Sequence, residues 1–248
     1  MGYEPPRDRT GEMWMLRSWA RRILSRRLQL PEIPIALEGL AQRGFSPHLV
    51  FDVGAYRGDF ARDVLRVWPS ARVACFEPLE KAAKQIEALR ASHPGIDLHR
   101  GVLGSEFRQE VEFNMAETAS SVLREHHATH PVCTVTQWTI DSAVNDWYAG
   151  KAPDLLKLDV QGFELHVLTG GIASLPRVGA ILAEVNLLDI HQGAPLLDEL
   201  VAWLAGHGFV AYDICGVTRR PLDGALWQID MLFVPRNSVL RGDKRWGQ

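Results

Sequence analysis

From Leu49 onward, short apolar runs alternate with segments of helical periodicity, and few folds accept a chain built that way. "LVFDV", "RVACFEP", "PDLLKLDV", "GAILAEV" and "FVAYDI" are short and nearly unbroken in their apolar character. Between them, "FARDVLRVW", "LEKAAKQIEALRAS", "FELHVLTGG" and "APLLDELVAWLAGHG" space their apolar residues three and four apart. Strands buried on both faces read as continuous apolar runs, whereas half-exposed strands alternate. The pattern therefore predicts an α/β fold, a mostly parallel sheet with helices on both faces. "IDLHRGVLG" supplies a third strand. The stretch from Glu106 to Pro131 is less regular, with a strand in "EVEFNM" and a loop or short helix in "AETASSVLREHHATH". "CTVTQW" reads as another strand before a helix in "IDSAVNDWYAG". The last apolar run, "WQIDMLFVP", follows "FVAYDI" with no helix-length segment between them, which predicts a hairpin.

With 248 residues, 46% of them apolar, the chain can bury one sizeable core. A net charge of -3 offers no general attraction to polyanions, so a nucleic-acid partner is not expected. Cys75, Cys133 and Cys215 are scattered and odd in number, which suggests neither a disulfide framework nor a zinc site and fits a reducing cytoplasm. No stretch approaches the roughly 20 apolar residues of a membrane span. From Met13 to Leu30, five arginines (Arg17, Arg21, Arg22, Arg26 and Arg27) interleave with Leu16, Ala20, Ile23 and Leu24 as a basic amphipathic helix. Such a helix either docks its apolar side on the domain or lies on anionic lipid, as a peripheral contact at the inner face of a membrane. The expected organisation is a helical N-terminal extension over 1–46, a main domain over 47–236 and a tail over 237–248.

The first strand runs into "VFDVGAYRGDF", Val50 to Phe60, which sets Asp52, Gly54 and Gly58 as D-x-G-x-x-x-G. In an open parallel sheet, ligands sit beyond the carboxyl ends of the strands, where glycines let the backbone approach and helix N-termini offer free N–H groups. A dinucleotide loop reads G-x-G-x-x-G, and its second glycine is missing here. That departure favours S-adenosylmethionine over a cofactor with a pyrophosphate. Glu77 ends the second strand, where a carboxylate can accept both ribose hydroxyls, but NAD-binding proteins carry an acid there too. An NAD(P)-dependent oxidoreductase is therefore one alternative, and a non-catalytic, membrane-associated binding module using the basic helix is another. Singly, Gly54 and Gly58 also suit a plain tight turn and Glu77 a solvated strand end. Together, in strand, loop, helix and strand order, they point to a cofactor.

"KLDVQGFELHVLTGG", taken with "VFDVGAYRGDF" and "ACFEP", resembles the FkbM family of S-adenosylmethionine-dependent methyltransferases over about Leu49 to Pro235. The resemblance implies a Rossmann-like class I methyltransferase domain, a seven-stranded sheet whose last strand is antiparallel. It also implies O-methylation of a hydroxyl on a sugar, a glycolipid or oligosaccharide, or a secondary metabolite. Carried over by position, Asp52, Gly54 and Gly58 would form the methionine-end loop and Glu77 would hold the ribose. Leu103 would contact adenine, and Asp159 would lie near the reactive methyl. Gln161 stands where many members have Glu, and Ser105 where an acid is often found.

Methyl transfer to a hydroxyl needs the acceptor oxygen aligned with the methyl and its proton removed. Asp159, Glu164, Glu184 and His191 are the polar residues expected at the ends of the fourth and fifth parallel strands. His191 is the first choice as general base because a neutral imidazole accepts a proton near neutral pH. Asp159 is the second, as base or as the group that orients the acceptor, and it could instead cap the next helix. Asp159 with "EVNLLDIH" offers oxygen and imidazole ligands to a divalent cation, but without a compact motif no metal ligand is assigned. His126, His127 and His130 fit a solvated or substrate-covering loop. Enzymes that methylate nucleobase amines carry an Asn/Asp-Pro-Pro-aromatic segment after the fourth strand; "DVQG" stands there instead.

Overall fold

The computed structural model describes Leu28 and residues 30–247. The basic helix expected over Met13–Leu30 thus falls, but for Leu28 and Leu30, outside the described residues. In chain order the first elements are α1 (Ile33–Gln42), β1 (Leu49–Val53), α2 (Asp59–Val67), β2 (Arg72–Phe76), α3 (Glu80–Ser92) and β3 (Ile96–His99). Three strands follow, β4 (Val102–Leu103), β5 (Arg108–Asn114) and β6 (Val132–Trp138). The second half contains α4 (Ile140–Trp147), β7 (Leu155–Leu158), α5 (Glu164–Thr169), β8 (Ala180–Asn186), α6 (Leu197–Gly206), β9 (Phe209–Arg219) and β10 (Leu226–Pro235).

Seven strands form one sheet in the order β3-β2-β1-β7-β8-β10-β9. Pairs from β3 through β8 are parallel, and β10 runs antiparallel to both β8 and β9. The wholly buried strands β1, β7 and β8 lie at its centre, as their unbroken apolar runs require. On one face α1, α2 and α3 set Leu37, Leu40, Val64 and Ile86 against Val50, Val73 and Leu182. On the other, α4, α5 and α6 set Ile140, Val144, Val167 and Leu200 against Phe51, Leu156 and Ile181. Leu37 and Leu40 are fully buried, and at about 1.5–3 kcal/mol each they make α1 part of the domain's core. Pro34 lies in its first turn, where the missing N–H costs nothing.

One departure from the expected alternation shapes the site. "IDLHRGVLG" is two strands: β3 ends in the large sheet, and β4 belongs to a separate three-stranded sheet ordered β4-β6-β5. The chain crosses over at Gly101, φ +149, where a Cβ would overlap the Trp138 ring and the Thr136 carbonyl. Only glycine turns this corner. The small sheet and the loop after β5 cover the carboxyl ends of β1, β2 and β7. Asn114 Nδ2 pins that loop to the carbonyls of Ser121, Val122 and Leu123 at 3.1–3.3 Å, and Ser121 Oγ ties it to the Val160 and Gln161 carbonyls. Among the described residues, no helix is long and apolar enough to cross a membrane.

Candidate active site

β1 ends at Val53, and the chain turns through Gly54 into α2. Gly54 has φ +77, and a Cβ there would overlap the Asp159 carbonyl oxygen, so β1 and β7 approach at this point only because position 54 has no side chain. The Gly54 and Ala55 N–H groups both donate to the Phe76 carbonyl at 3.1 Å, stitching the loop to β2. Between this loop, the end of β2, β4 and the small sheet lies a cleft lined by Gly54, Tyr56, Glu77, Leu103, Phe113 and Asp159, among others. It holds about 710 Å³ of empty space, its open mouth included.

Glu77 is buried, yet its carboxylate borders the cleft. Oε2 accepts from the Tyr56 N–H at 2.7 Å and Oε1 from the Leu79 N–H at 2.8 Å. Burial pushes the carboxyl up to about 7, against the downward pull of those two amides. Each oxygen keeps acceptor capacity beyond its one amide. The Tyr56 N–H also bears on the dinucleotide alternative. Tyr56 stands where a dinucleotide loop has its second glycine, and its N–H is already given to Glu77, which leaves it unavailable to a pyrophosphate.

Extending the strand register by one residue past Val53, Phe76 and Leu158 sets Gly54 between Glu77 and Asp159, and Glu184 faces Asp230 across the next strands. Four acids therefore lie in one row across the sheet. Beneath the row, Lys157 is the only buried lysine or arginine among the described residues. Its ammonium donates to the Gly54 carbonyl at 2.9 Å and lies 3.2 Å from Asp52 Oδ1 and 3.3 Å from Asp159 Oδ2. Burial alone would lower the Lys157 pKa, but Asp159 and Asp52 outweigh it and raise it. Gln161, at φ +54, donates Nε2 to Asp159 Oδ1 at 3.3 Å and to Glu184 Oε1 at 3.1 Å, while its own Oε1 accepts from Gln228. Burial, then the neighbouring acids Asp159 and Glu164, hold Glu184 well above the usual carboxylate range, and burial lifts Asp230 to about 6.

The structure brings together some of the expected site residues and separates others. Gly54, Glu77, Leu103 and Asp159 line the cleft. Asp52 is fully buried under the loop beside Lys157, and neither of its oxygens has hydrogen-bond geometry to a described residue. Gly58 faces α3: a Cβ there would lie 3.2 Å from Leu89 and 3.4 Å from Ile86. Its αL conformation starts α2. His191 does not line the cleft. It is 1% exposed, with Nε2 3.3 Å from the Ala119 carbonyl, and burial lowers its pKa. Glu164 is likewise internal, its Oε1 accepting from the Val160 and Gly162 N–H groups of the turn that leads into α5. Among the histidines of the covering loop, His130 pairs with Glu125 at 2.9 Å. Among the described residues, no group of three or more histidines, cysteines and acids is placed to hold a metal ion. Sequence reasoning passed over Tyr56 and Lys157. Lys157 had a signal: a lone charge inside a buried strand, two residues from Asp159 and therefore on the same face.

A parallel sheet in this order, with a reversed strand inserted before its edge and a glycine loop facing an acid at the ends of its first two strands, defines a Rossmann-like methyltransferase. The profile of the Methyltransferase FkbM domain matches residues 52–211. The chain belongs to that family, and S-adenosylmethionine is its methyl donor. A search of curated proteins gives no match. Similar solved structures include a precorrin-6y C5,15-methyltransferase from Geobacter metallireducens, 12% identical with a TM-score of 0.47 over 81% of this chain and 86% of that one. A ribosomal protein L11 methylase from Lactobacillus delbrueckii is 13% identical, TM-score 0.47, over 82% of this chain and 77% of that one. A 1,6-didemethyltoxoflavin-N1-methyltransferase from Burkholderia thailandensis is 12% identical, TM-score 0.45, over 95% and 93%.

Proposed function

We propose that this protein transfers a methyl group from S-adenosylmethionine to a hydroxyl of a sugar, a glycolipid or oligosaccharide, or a secondary metabolite. The cleft's chemistry suits the donor. Glu77, with its two oxygens each fixed by a backbone amide, is the acceptor for the ribose hydroxyls. Leu103, with Val102 and Phe113, forms an apolar wall for the adenine ring. Gly54, bare of side chain, and Asp159 take the methionine end, while Asp52 and Gly58 act from behind by holding the loop and the start of α2. When bound, the sulfonium supplies an electrophilic methyl for in-line displacement.

The remaining work falls to the chain's own residues. Asp159 is the carboxylate at the end of β7 that reaches the cleft, its side chain 39% exposed. It orients the acceptor hydroxyl and takes its proton, the role expected first of His191. The covering loop of residues 115–123 keeps bulk water from the reacting atoms, which strengthens every charge interaction inside. One observation carries the choice of a hydroxyl over a nucleobase amine: beyond β7 stand an acid, Val160 and Gln161, with no proline pair and aromatic platform to hold a flipped base. Mass spectrometry of glycolipids and metabolites from cells with and without the gene tests the reading. One species lacking a single O-methyl in the deletion supports it, and a missing N-methyl or no change in any hydroxyl compound opposes it.

A further inference from the structure

Lys157 takes no part in the reading above, yet from beneath the cleft it contacts two of the residues that line it. Its ammonium donates a hydrogen bond to the Gly54 carbonyl at 2.9 Å and forms ion pairs with Asp52 Oδ1 at 3.2 Å and Asp159 Oδ2 at 3.3 Å. Its side chain is 7% exposed and that of Asp52 is wholly buried, so neither charge is shielded by water. Asp52 and Lys157 are direct partners across β1 and β7. Asp159, two residues along β7, points from the same face. The three partners differ in kind. Asp52 is sealed in the core and touches nothing in the cleft, whereas Gly54 and Asp159 both line it. Lys157 therefore ties a buried countercharge to the two groups that meet the methionine end. With Gln161 Nε2 on Oδ1 at 3.3 Å, the Asp159 carboxylate is held on both oxygens.

We infer that Lys157 is a positioning residue: it fixes the Asp159 carboxylate toward the cofactor and anchors the Gly54 turn from beneath through its carbonyl, with Asp52 as the countercharge that permits a buried ammonium. This rests on the reading of Asp159 as the methyl-end acid. A lysine needed only for folding would make one demand, that the two buried charges balance. Removing both charges together satisfies that demand, because a buried pair replaced by neutral groups of like size is often tolerated while a single unpaired charge is not. The double variant Asp52→Asn/Lys157→Met therefore separates the two roles.

The experiment is calorimetric titration of S-adenosylhomocysteine into wild-type protein, Lys157→Met, Lys157→Arg and the double variant, with thermal unfolding of each in the absence of ligand. The stoichiometry counts molecules that fold, and the isotherm reports their affinity. Lys157→Met alone should melt well below wild type, and the double variant should recover most of that loss. Its affinity should nevertheless stay at least tenfold weaker than wild type, because Asp159 and Gly54 have lost their anchor. Lys157→Arg, which keeps the charge but not the compact three-donor head, should bind severalfold more weakly. A double variant that binds like wild type would overturn the inference. Should the double variant not fold, Lys157→Arg with wild-type affinity would overturn it instead. Failure of the wild-type protein to bind would count against the cleft reading itself, which is a different result from wild-type binding with unaffected variants.

Discussion

The two acids that face each other along the cleft are held by opposite means. Glu77 is fixed by main chain, one N–H on each oxygen, and those amides belong to turns that the fold itself creates. Asp159 is fixed by side chains, the Lys157 ammonium on one oxygen and the Gln161 amide on the other. A backbone-held carboxylate depends on few neighbours and keeps its geometry while the residues around it vary. A side-chain-held carboxylate is set by a charge balance in which Asp52, Lys157, Gln161 and Glu184 all take part. The ribose end is thus the constant part of the site, and the methyl end the part that substitutions can tune.

Gly54 joins the two ends, and Gly54→Ala should have the largest effect. The new Cβ would overlap the Asp159 carbonyl at a φ that L side chains avoid, so urea unfolding should show a loss of about 3 kcal/mol or more. Cofactor affinity should fall with it, because Asp159 moves. Glu77→Gln should come next: it keeps the shape but loses the charge-assisted hydrogen bonds, and affinity for S-adenosylhomocysteine should drop by about tenfold to a hundredfold, about 1.5–3 kcal/mol.

The pH dependence follows from the direction of the Glu77 shift. Its carboxyl rises from an ordinary 4.5 to about 7 in the folded protein. Between those values the folded state holds a proton that the unfolded chain has lost, so this group makes the unliganded protein less stable as pH rises through about 7. Ribose hydroxyls need the ionised carboxylate. Affinity should therefore climb with pH over the same window and level off above it, with a proton released on binding. Glu77→Gln should flatten that profile, which calorimetry in buffers of different ionisation enthalpy would show.

At the other end, Gln161→Glu should be milder and pH-dependent. It places another carboxylate between Asp159 and Glu184, where Gln161 now donates to both, and should cost about 1–3 kcal/mol of stability. A buried acid among acids keeps its proton, so the cost is smallest near pH 4.5 and grows as pH rises. The smallest effect is expected from His191→Ala, about 1 kcal/mol in thermal or chemical unfolding, with S-adenosylhomocysteine affinity unchanged. A clear loss of affinity in that variant would mean that the loop after β8 reaches further into the cleft than its contacts indicate.

How much of this could be read before the structure depended on the range of the signal. The order of strands and helices and the terminal hairpin follow from runs of a few residues and their spacing, and the sheet bears them out. The three-stranded sheet was not visible, because the chain changes sheets at Gly101, and Val102 and Leu103 follow too soon after Leu98 to read as a separate strand. Asp52 and Gly58 belong to the motif, but the pleat turns Asp52 under the loop and the αL turn into α2 sets Gly58 against α3, which spacing alone does not reveal. His191 lies two residues beyond an exposed Asp189, yet the covering loop closes over it through the contact with Ala119, a partner 72 residues earlier in the chain. Lys157 could have been found: a lysine enclosed by "LL" and "LD" in a buried strand must have a partner, and Asp52 holds the matching place in "VFDV".

The most direct test of the central claim is a crystal structure of the protein with S-adenosylhomocysteine. The account predicts the ribose hydroxyls on the two Glu77 oxygens, the adenine against Leu103, and the homocysteine sulfur beside Gly54 and Asp159. The nucleoside lying elsewhere, or in this cleft with its ribose turned away from Glu77, would contradict it.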